Sequence, residues 1–275
     1  MPVPIGVVDF KPFLDGSDKQ GVGAAIVKSF KETGFVYLMN HGLAQEKIDE
    51  MFKWSKEFFA QPTEVKLLAP HPASGTHHRG YSAPGVEKVV HHIDDKDEIA
   101  SIRAKAPDVK ESFECGRADD PNMPNIWLPD GVLPGFNDAC LDFYWACREI
   151  ELTFFRALAL GLNVPEDYFV QYHQVADNQL RLLRYPSVPA ASLEKDEIIR
   201  IGAHSDFGTI TLLLQDKVGG LEIEDPNQPG VFQFCSADFD AVVDTVPGTF
   251  SEKMPKKYEA TSAMSYIMQR LASNY

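Results

Sequence analysis

The pattern of apolar and polar residues changes period along the chain. Between residues 20 and 33, Val22, Ala25, Ile26 and Phe30 recur every three or four positions. That spacing predicts a helix with one apolar face, stopped near Gly34. A short strand is expected before it, at 5–10, and a buried strand after it, at 35–38. Asn40-His41-Gly42 is the turn into a second helix, whose stripe is Ile48, Met51, Phe52 and Phe59. From Pro70 to Asp130 the periodicity fades into a stretch rich in Pro, Gly, His and charge, where long loops with short elements are expected. It returns over 134–161, where Phe136, Cys140, Phe143, Cys147, Ile150, Phe154 and Leu158 mark one long helix and Gly161 stands at its expected C-terminal cap. After Asn178 the segments shorten and become β-like: 179–185, 198–204, 209–215 and 220–224, punctuated by Pro, Gly and Asp. A closing helix is expected over 261–271, with Met264, Ile267, Met268 and Leu271 on one face. Helices, then short strands, then a helix suit an α+β chain with a jelly-roll core. The expected division is an N-terminal region, 1–130, and a second region, 131–275, holding the long helix, the jelly roll and the closing helix.

Composition narrows the function without naming it. A net charge of -14 over 275 residues argues against a nucleic-acid partner, which would require clustered Lys and Arg. No apolar run approaches the roughly 18 residues needed to span a bilayer, so no membrane partner is expected. Met1-Pro2-Val3-Pro4 has neither the basic nor the apolar region of a signal peptide, and the expected location is cytoplasmic. Cys115, Cys140, Cys147 and Cys235 form no CxxC pair and read as reduced, structural residues.

One spacing points to chemistry. His204-Ser205-Asp206 is His-x-Asp, and on a strand residues i and i+2 share a face, so an imidazole and a carboxylate can reach one metal ion. Two imidazoles and a carboxylate on one face of an octahedron are the ligand set of Fe(II) oxygenases, because three positions stay open for co-substrate and O2. The spacing occurs twice. His92-Ile93-Asp94 lies in a run of charge with no strand pattern, which reads as a solvated loop. His204 instead closes an apolar segment and is followed by Phe207-Gly208-Thr209-Ile210-Thr211, a turn into another apolar strand. From these residues alone, a buried core histidine beside a turn-forming Asp is as good a reading as a ligand pair.

The wider pattern resembles a known family. Residues 202–215 with Val218-Gly219-Gly220-Leu221-Glu222-Ile223 look like the iron-binding stretch of the isopenicillin-N-synthase-like group of Fe(II)/2-oxoglutarate-dependent dioxygenases. So, in family order, do Val8-Asp9-Phe10, Gly34-Phe35-Val36-Tyr37-Leu38, Arg79-Gly80-Tyr81, Lys110-Glu111-Ser112-Phe113-Glu114 and Leu133-Pro134-Gly135-Phe136. The resemblance implies a double-stranded β-helix, Fe(II) held by His204 and Asp206, and 2-oxoglutarate as co-substrate. It also implies O2 as oxidant and a small organic molecule that is hydroxylated, desaturated or cyclised. Tyr185 matches a family tyrosine that helps to hold 2-oxoglutarate, although Leu183 stands where many relatives have Asn. A close rival keeps the family but draws all electrons from the substrate.

The sequence also departs from that family. Its third ligand is a histidine downstream of the pair, followed by Arg-x-Ser, which grips the far carboxylate of 2-oxoglutarate. Here all seven other histidines precede His204, and the one arginine after Arg200 is Arg270, followed by Leu271-Ala272. The family pattern breaks near Phe232-Gln233-Phe234-Cys235 and resumes at Phe239-Asp240-Ala241. On the order of 60 residues, enough for several strands and their turns, are expected to be missing there, leaving an incomplete core. The spacing of His77, His78 and His173 gives none of them a claim to be the substitute ligand. The alternative reading is therefore a catalytically inactive, internally shortened product.

Overall fold

The computed structural model describes residues 5–74, 76–87, 108–194, 198, 200–201, 204, 206, 208–216, 242–243 and 261–262. Strand β1 (Gly6–Asp9) pairs in parallel with β2 (Val36–Met39), with Val8 opposite Leu38. Between them lie the short helix α1 (Lys11–Leu14) and the helix α2 (Lys19–Thr33). α2 starts where Asp18 Oδ1 accepts from the Gly21 amide at 2.8 Å, and it stops at Gly34, whose φ of 77° is one that glycine adopts without steric cost. The strand expected to be buried is only half so. Val36 and Leu38 face the core, while Tyr37 and Met39 are 56% and 55% exposed, the alternation of a sheet covered on one face.

Helix α3 (Gln45–Phe59) turns Ile48, Met51, Phe58 and Phe59 inward. Phe52, expected in that stripe, is exposed, and Phe58 takes the core position. A one-turn helix, α4 (Thr63–Lys66), follows. The weakly patterned middle contributes two strands, β3 (Gly80–Ser82) and β4 (Glu111–Cys115). With β5 (Leu180–Arg184) they form an antiparallel sheet in the order β3-β4-β5. Tyr81, Phe113 and Leu182 lie side by side on one face, and Glu114 and Arg181 are paired on the other.

The long helix α5 (Phe136–Gly161) joins two cores. Its first half packs Phe136, Cys140 and Phe143 against Phe58, Tyr81, Phe113 and Leu182. Phe58 stacks on Phe136 with centroids 5.0 Å apart, and each fully buried ring contributes roughly 1.5–3 kcal/mol. Its last turns pack Phe154, Phe155 and Leu158 against Phe10, Phe13, Val22 and Ile26. Here α2 crosses α5 at glycines. A Cβ on Gly161 would lie 2.1 Å from the Gly23 carbonyl oxygen, and one on Gly23 would lie 2.5 Å from that of Ala157. Gly161 is thus a contact residue in the last turn, and Leu162 is the cap.

Cys115 and Cys140 are buried and Cys147 half-buried, all reduced, as expected. Burial pushes the Cys147 thiol up to about 12 and raises Cys140 well above the ordinary range, so both stay protonated and unreactive. After β5 come a helical turn, α6 (Ala190–Glu194), and an antiparallel pair of two-residue strands, β6 (Val242–Val243) and β7 (Thr261–Ser262). Thr261 and Ser262 therefore begin as strand where helix was expected. The rest of that segment, the expected strand at 220–224, Cys235 and the second His-x-Asp at 92–94 lie outside the described residues. Among residues 209–215 Ile210 forms a single bridge, with no longer ladder. No helix among the described residues is long and apolar enough to cross a membrane.

Candidate metal centre

His204 and Asp206 converge. His204 Nε2 lies 3.7 Å from Asp206 Oδ1, with side chains 15% and 9% exposed. Two donors about 2.1 Å from one octahedral ion and adjacent to each other would be roughly 3 Å apart, so the pair is close to the spacing that a shared ion requires. The other carboxylate oxygen is already engaged: Thr211 Oγ1 donates to Asp206 Oδ2 at 2.5 Å. A ligand carboxylate held by a neighbouring donor is the usual way a metal site fixes its geometry. The donor set and its bracing fit two positions of an Fe(II) ion. Among the described residues, no third His, Cys, Asp or Glu joins this pair at ligand distance.

The three histidines weighed as substitutes are all otherwise occupied. His173 is buried against the Phe155 ring, with centroids 4.1 Å apart. Its Nδ1 lies 2.8 Å from the Phe169 carbonyl oxygen and its Nε2 3.0 Å from Thr209 Oγ1. Burial lowers its pKa to about 4, so the ring is neutral at physiological pH. It anchors the loop three residues past Asp206 and is not turned to the metal pair. His77 reaches the Pro124 carbonyl oxygen, and His78 faces Glu114. Thr209 and Thr211 were not singled out by sequence, and His173 was considered there only as a substitute ligand, not in this anchoring role. The alternation in Gly208-Thr209-Ile210-Thr211, two hydroxyls on one face just after the pair, is the signal that could have found the threonines.

Tyr185, the expected co-substrate contact, stands at the end of β5 and is 39% exposed. Burial raises its pKa while the charges of Arg181 and Arg200 lower it, so the phenol stays protonated and can donate a hydrogen bond. Arg200 donates to the Pro186 carbonyl oxygen at 3.3 Å, which sets a guanidinium near Tyr185.

The sheet behind Tyr185 carries two buried polar networks, one on each face. On the Tyr81 side, Glu111 accepts from Lys66 and from the Tyr81 hydroxyl, both at 2.6 Å, and from Arg184 at 2.5 Å. On the other, Arg181 lies between Glu114 (3.1 Å) and Glu87, and Lys110 lies 3.2 Å from Glu87. Burial is the largest single influence and raises Glu87 and Glu114, but Arg181 together with Lys110 at Glu87, and with His78 and His71 at Glu114, outweighs it and both carboxyls are lowered.

Two family models match the chain. Residues 5–130 match the N-terminal region described as non-haem dioxygenase in morphine synthesis, and residues 169–244 match the 2OG-Fe(II) oxygenase superfamily. A 2-oxoglutarate-dependent dioxygenase of Dothideomycetidae sp. (strain 11243) is 40% identical over 228 residues, covering 82% of this chain and 67% of the relative. A proline hydroxylase of Petromyces alliaceus is 40% identical over 235 residues, covering 84% of this chain and 70% of the relative. Among solved structures, a full-length Neurospora crassa protein in complex with alpha-KG and thymine superposes with a TM-score of 0.85 at 32% identity, covering 98% of this chain and 97% of that one.

Proposed function

The chain belongs to the 2OG-Fe(II) oxygenase superfamily, and on that premise we propose that His204 and Asp206 are its iron ligands and Tyr185 its contact to 2-oxoglutarate. Its fold class is the family's: α+β, with a double-stranded β-helix core. Its activity is that of a 2-oxoglutarate-dependent non-haem iron oxygenase acting on a small molecule, with Fe(II) as metal and 2-oxoglutarate as co-substrate.

When bound, the iron supplies the O2 chemistry that couples conversion of 2-oxoglutarate to succinate and CO2 with oxidation of a substrate bond. For a hydroxylation the atoms balance as one substrate C–H, O2 and 2-oxoglutarate giving one alcohol, succinate and CO2. The chain's own residues position the reactants. Asp206 offers Oδ1 while Thr211 fixes Oδ2, and His173 pins the loop through Thr209. Tyr185 keeps its proton and can donate a hydrogen bond to a carboxylate.

O2 as oxidant is part of the same reading and is supported by the family, the absence of a nucleic-acid partner is supported by the net charge of -14, and the absence of a membrane partner and a cytoplasmic location are proposed with them. The division at about residue 130 is supported by the two separate family matches. An internally shortened core is supported by the missing downstream histidine. The same 228 aligned residues are 82% of this chain and 67% of the relative, so the relative is the longer protein.

The observation that carries the ligand assignment is the convergence of His204 and Asp206 with the second carboxylate oxygen already held. Anaerobic titration with Fe(II) and 2-oxoglutarate tests it. A metal-to-ligand charge-transfer band is expected in the unmodified chain and is lost in His204→Ala and Asp206→Ala. A band that survives both substitutions would overturn the assignment. No band in any form would select the inactive reading.

A further inference from the structure

A second set of metal-type donors lies on the charged face of the β3-β4-β5 sheet, using none of the residues assigned to iron. His71 follows the segment that bridges to Tyr81, His78 precedes β3, and Glu114 is on β4. One donor atom from each lies within 4.8 Å of the other two, and among the described residues this is the one group of three or more His, Cys, Asp or Glu so arranged. His78 and Glu114 are buried, and His71 is half-buried. We propose that His71, His78 and Glu114 form a second site for a divalent transition-metal ion of the zinc class, with water as the fourth ligand.

Four observations point the same way. His78 Nδ1 and Glu114 Oε2 are 3.4 Å apart, long for a charge-assisted hydrogen bond. Two ligands at about 2.0–2.1 Å on one tetrahedral ion are separated by roughly 3.3–3.4 Å. His71 Nδ1 lies 2.7 Å from the Pro72 carbonyl oxygen. As the donor there, Nδ1 leaves the ring's lone pair on Nε2, the tautomer that a carbonyl-oriented ligand histidine adopts. Glu114 is braced on its sheet, Oε1 by Ser112 and Arg181, each at 3.1 Å, and Oε2 by Gln179 at 2.8 Å. Finally, the surrounding charge leaves room for a cation. Glu87, Asp108 and Glu114 face Lys110 and Arg181, an excess of one negative charge. Two imidazoles and one carboxylate suit Zn2+ and its neighbours in the first transition row.

An ion here would tie the segment at 71–78 to β4, so its signature is stability as well as binding. The test is made on the full chain carrying His204→Ala and Asp206→Ala, which keeps its outcome separate from that of the iron assignment. Zn2+ is titrated against a chromophoric chelator, and Co2+ is added as a spectroscopic probe. The expected result is one equivalent bound, a tetrahedral-type Co2+ spectrum and a rise in Tm with Zn2+. Adding Glu114→Gln or His71→Ala should weaken binding at least roughly 10–100-fold. His71 is only half-buried, so its removal remains informative should the Glu114 variant fail to fold. Absence of stoichiometric binding, or Zn2+ affinity unchanged by His71→Ala, would overturn the site and leave the cluster a hydrogen-bonded network.

Discussion

Thr211→Val isolates what the hydroxyl does for the proposed ligand pair. Valine keeps the shape of threonine and replaces the oxygen by a methyl group, so Asp206 Oδ2 loses a donor now at 2.5 Å. A hydrogen bond to a charged acceptor contributes about 1.5–3 kcal/mol, and Asp206 is only 9% exposed, so water replaces the lost donor poorly. At about 1.4 kcal/mol per tenfold, the loss corresponds to roughly a 10–100-fold weaker hold on Fe(II). The same range follows from removing the second-sphere partner of a metal ligand. The assay is anaerobic Fe(II) titration in the presence of 2-oxoglutarate, with a thermal melt alongside to confirm that the variant is folded. Thr211→Ser keeps the hydroxyl and should restore most of the affinity. The reasoning is refuted if Thr211→Val binds iron like the unmodified chain, or if serine fares no better than valine.

Two further outcomes follow from burial. His173 has its pKa lowered from 6.5 to about 4, so on acidification the unfolded chain takes up this proton first. Stability present above about pH 6.5 should fall as pH drops towards 4, by about 3 kcal/mol from this group; urea denaturation at several pH values should show a shallower slope for His173→Gln. Gly161→Ala gains about 1 kcal/mol of helix propensity, but the new methyl would lie 2.1 and 2.4 Å from backbone atoms of Gly23, which cannot give way as a side chain can, and 2.7 Å from Val27 Cγ2. A net loss of about 1–2 kcal/mol, or a few degrees in Tm, is expected, and a stabilised variant would refute the close crossing.

The helices were legible because their signal is local. Val22 and Ile26 in α2, and the run from Phe136 to Leu158 in α5, repeat at helical spacing because each buries one stripe. Phe52 and Phe58 were harder to separate, since both lie near the apolar sector of α3 and only the position of Phe136 decides which is covered. β3 and β4 were hidden for a physical reason. Every residue of Glu111–Cys115 is buried, so the strand shows no inside-outside alternation, and its glutamates look like surface until Lys66 and Arg181 are seen against them. His204 and Asp206 were readable because they are only two positions apart, a local spacing that survives although neither belongs to a strand. The cluster of His71, His78 and Glu114 was not, because its outer members are 43 positions apart and only the sheet register brings them together.

The crossing of α2 on α5 also has a bearing on how the chain is made. Gly23 and Gly161 are 138 positions apart, so the helix emerging early from the ribosome finds its partner only after that much more chain has been added. At about 5–20 residues per second the wait is roughly 7–28 s. Through that interval Val22, Ile26 and Val27 lack the surface that covers them in the finished fold. The nascent N-terminal segment is then a substrate for chaperones that bind apolar helices, and slowing synthesis between β4 and the end of α5 should lengthen that dependence.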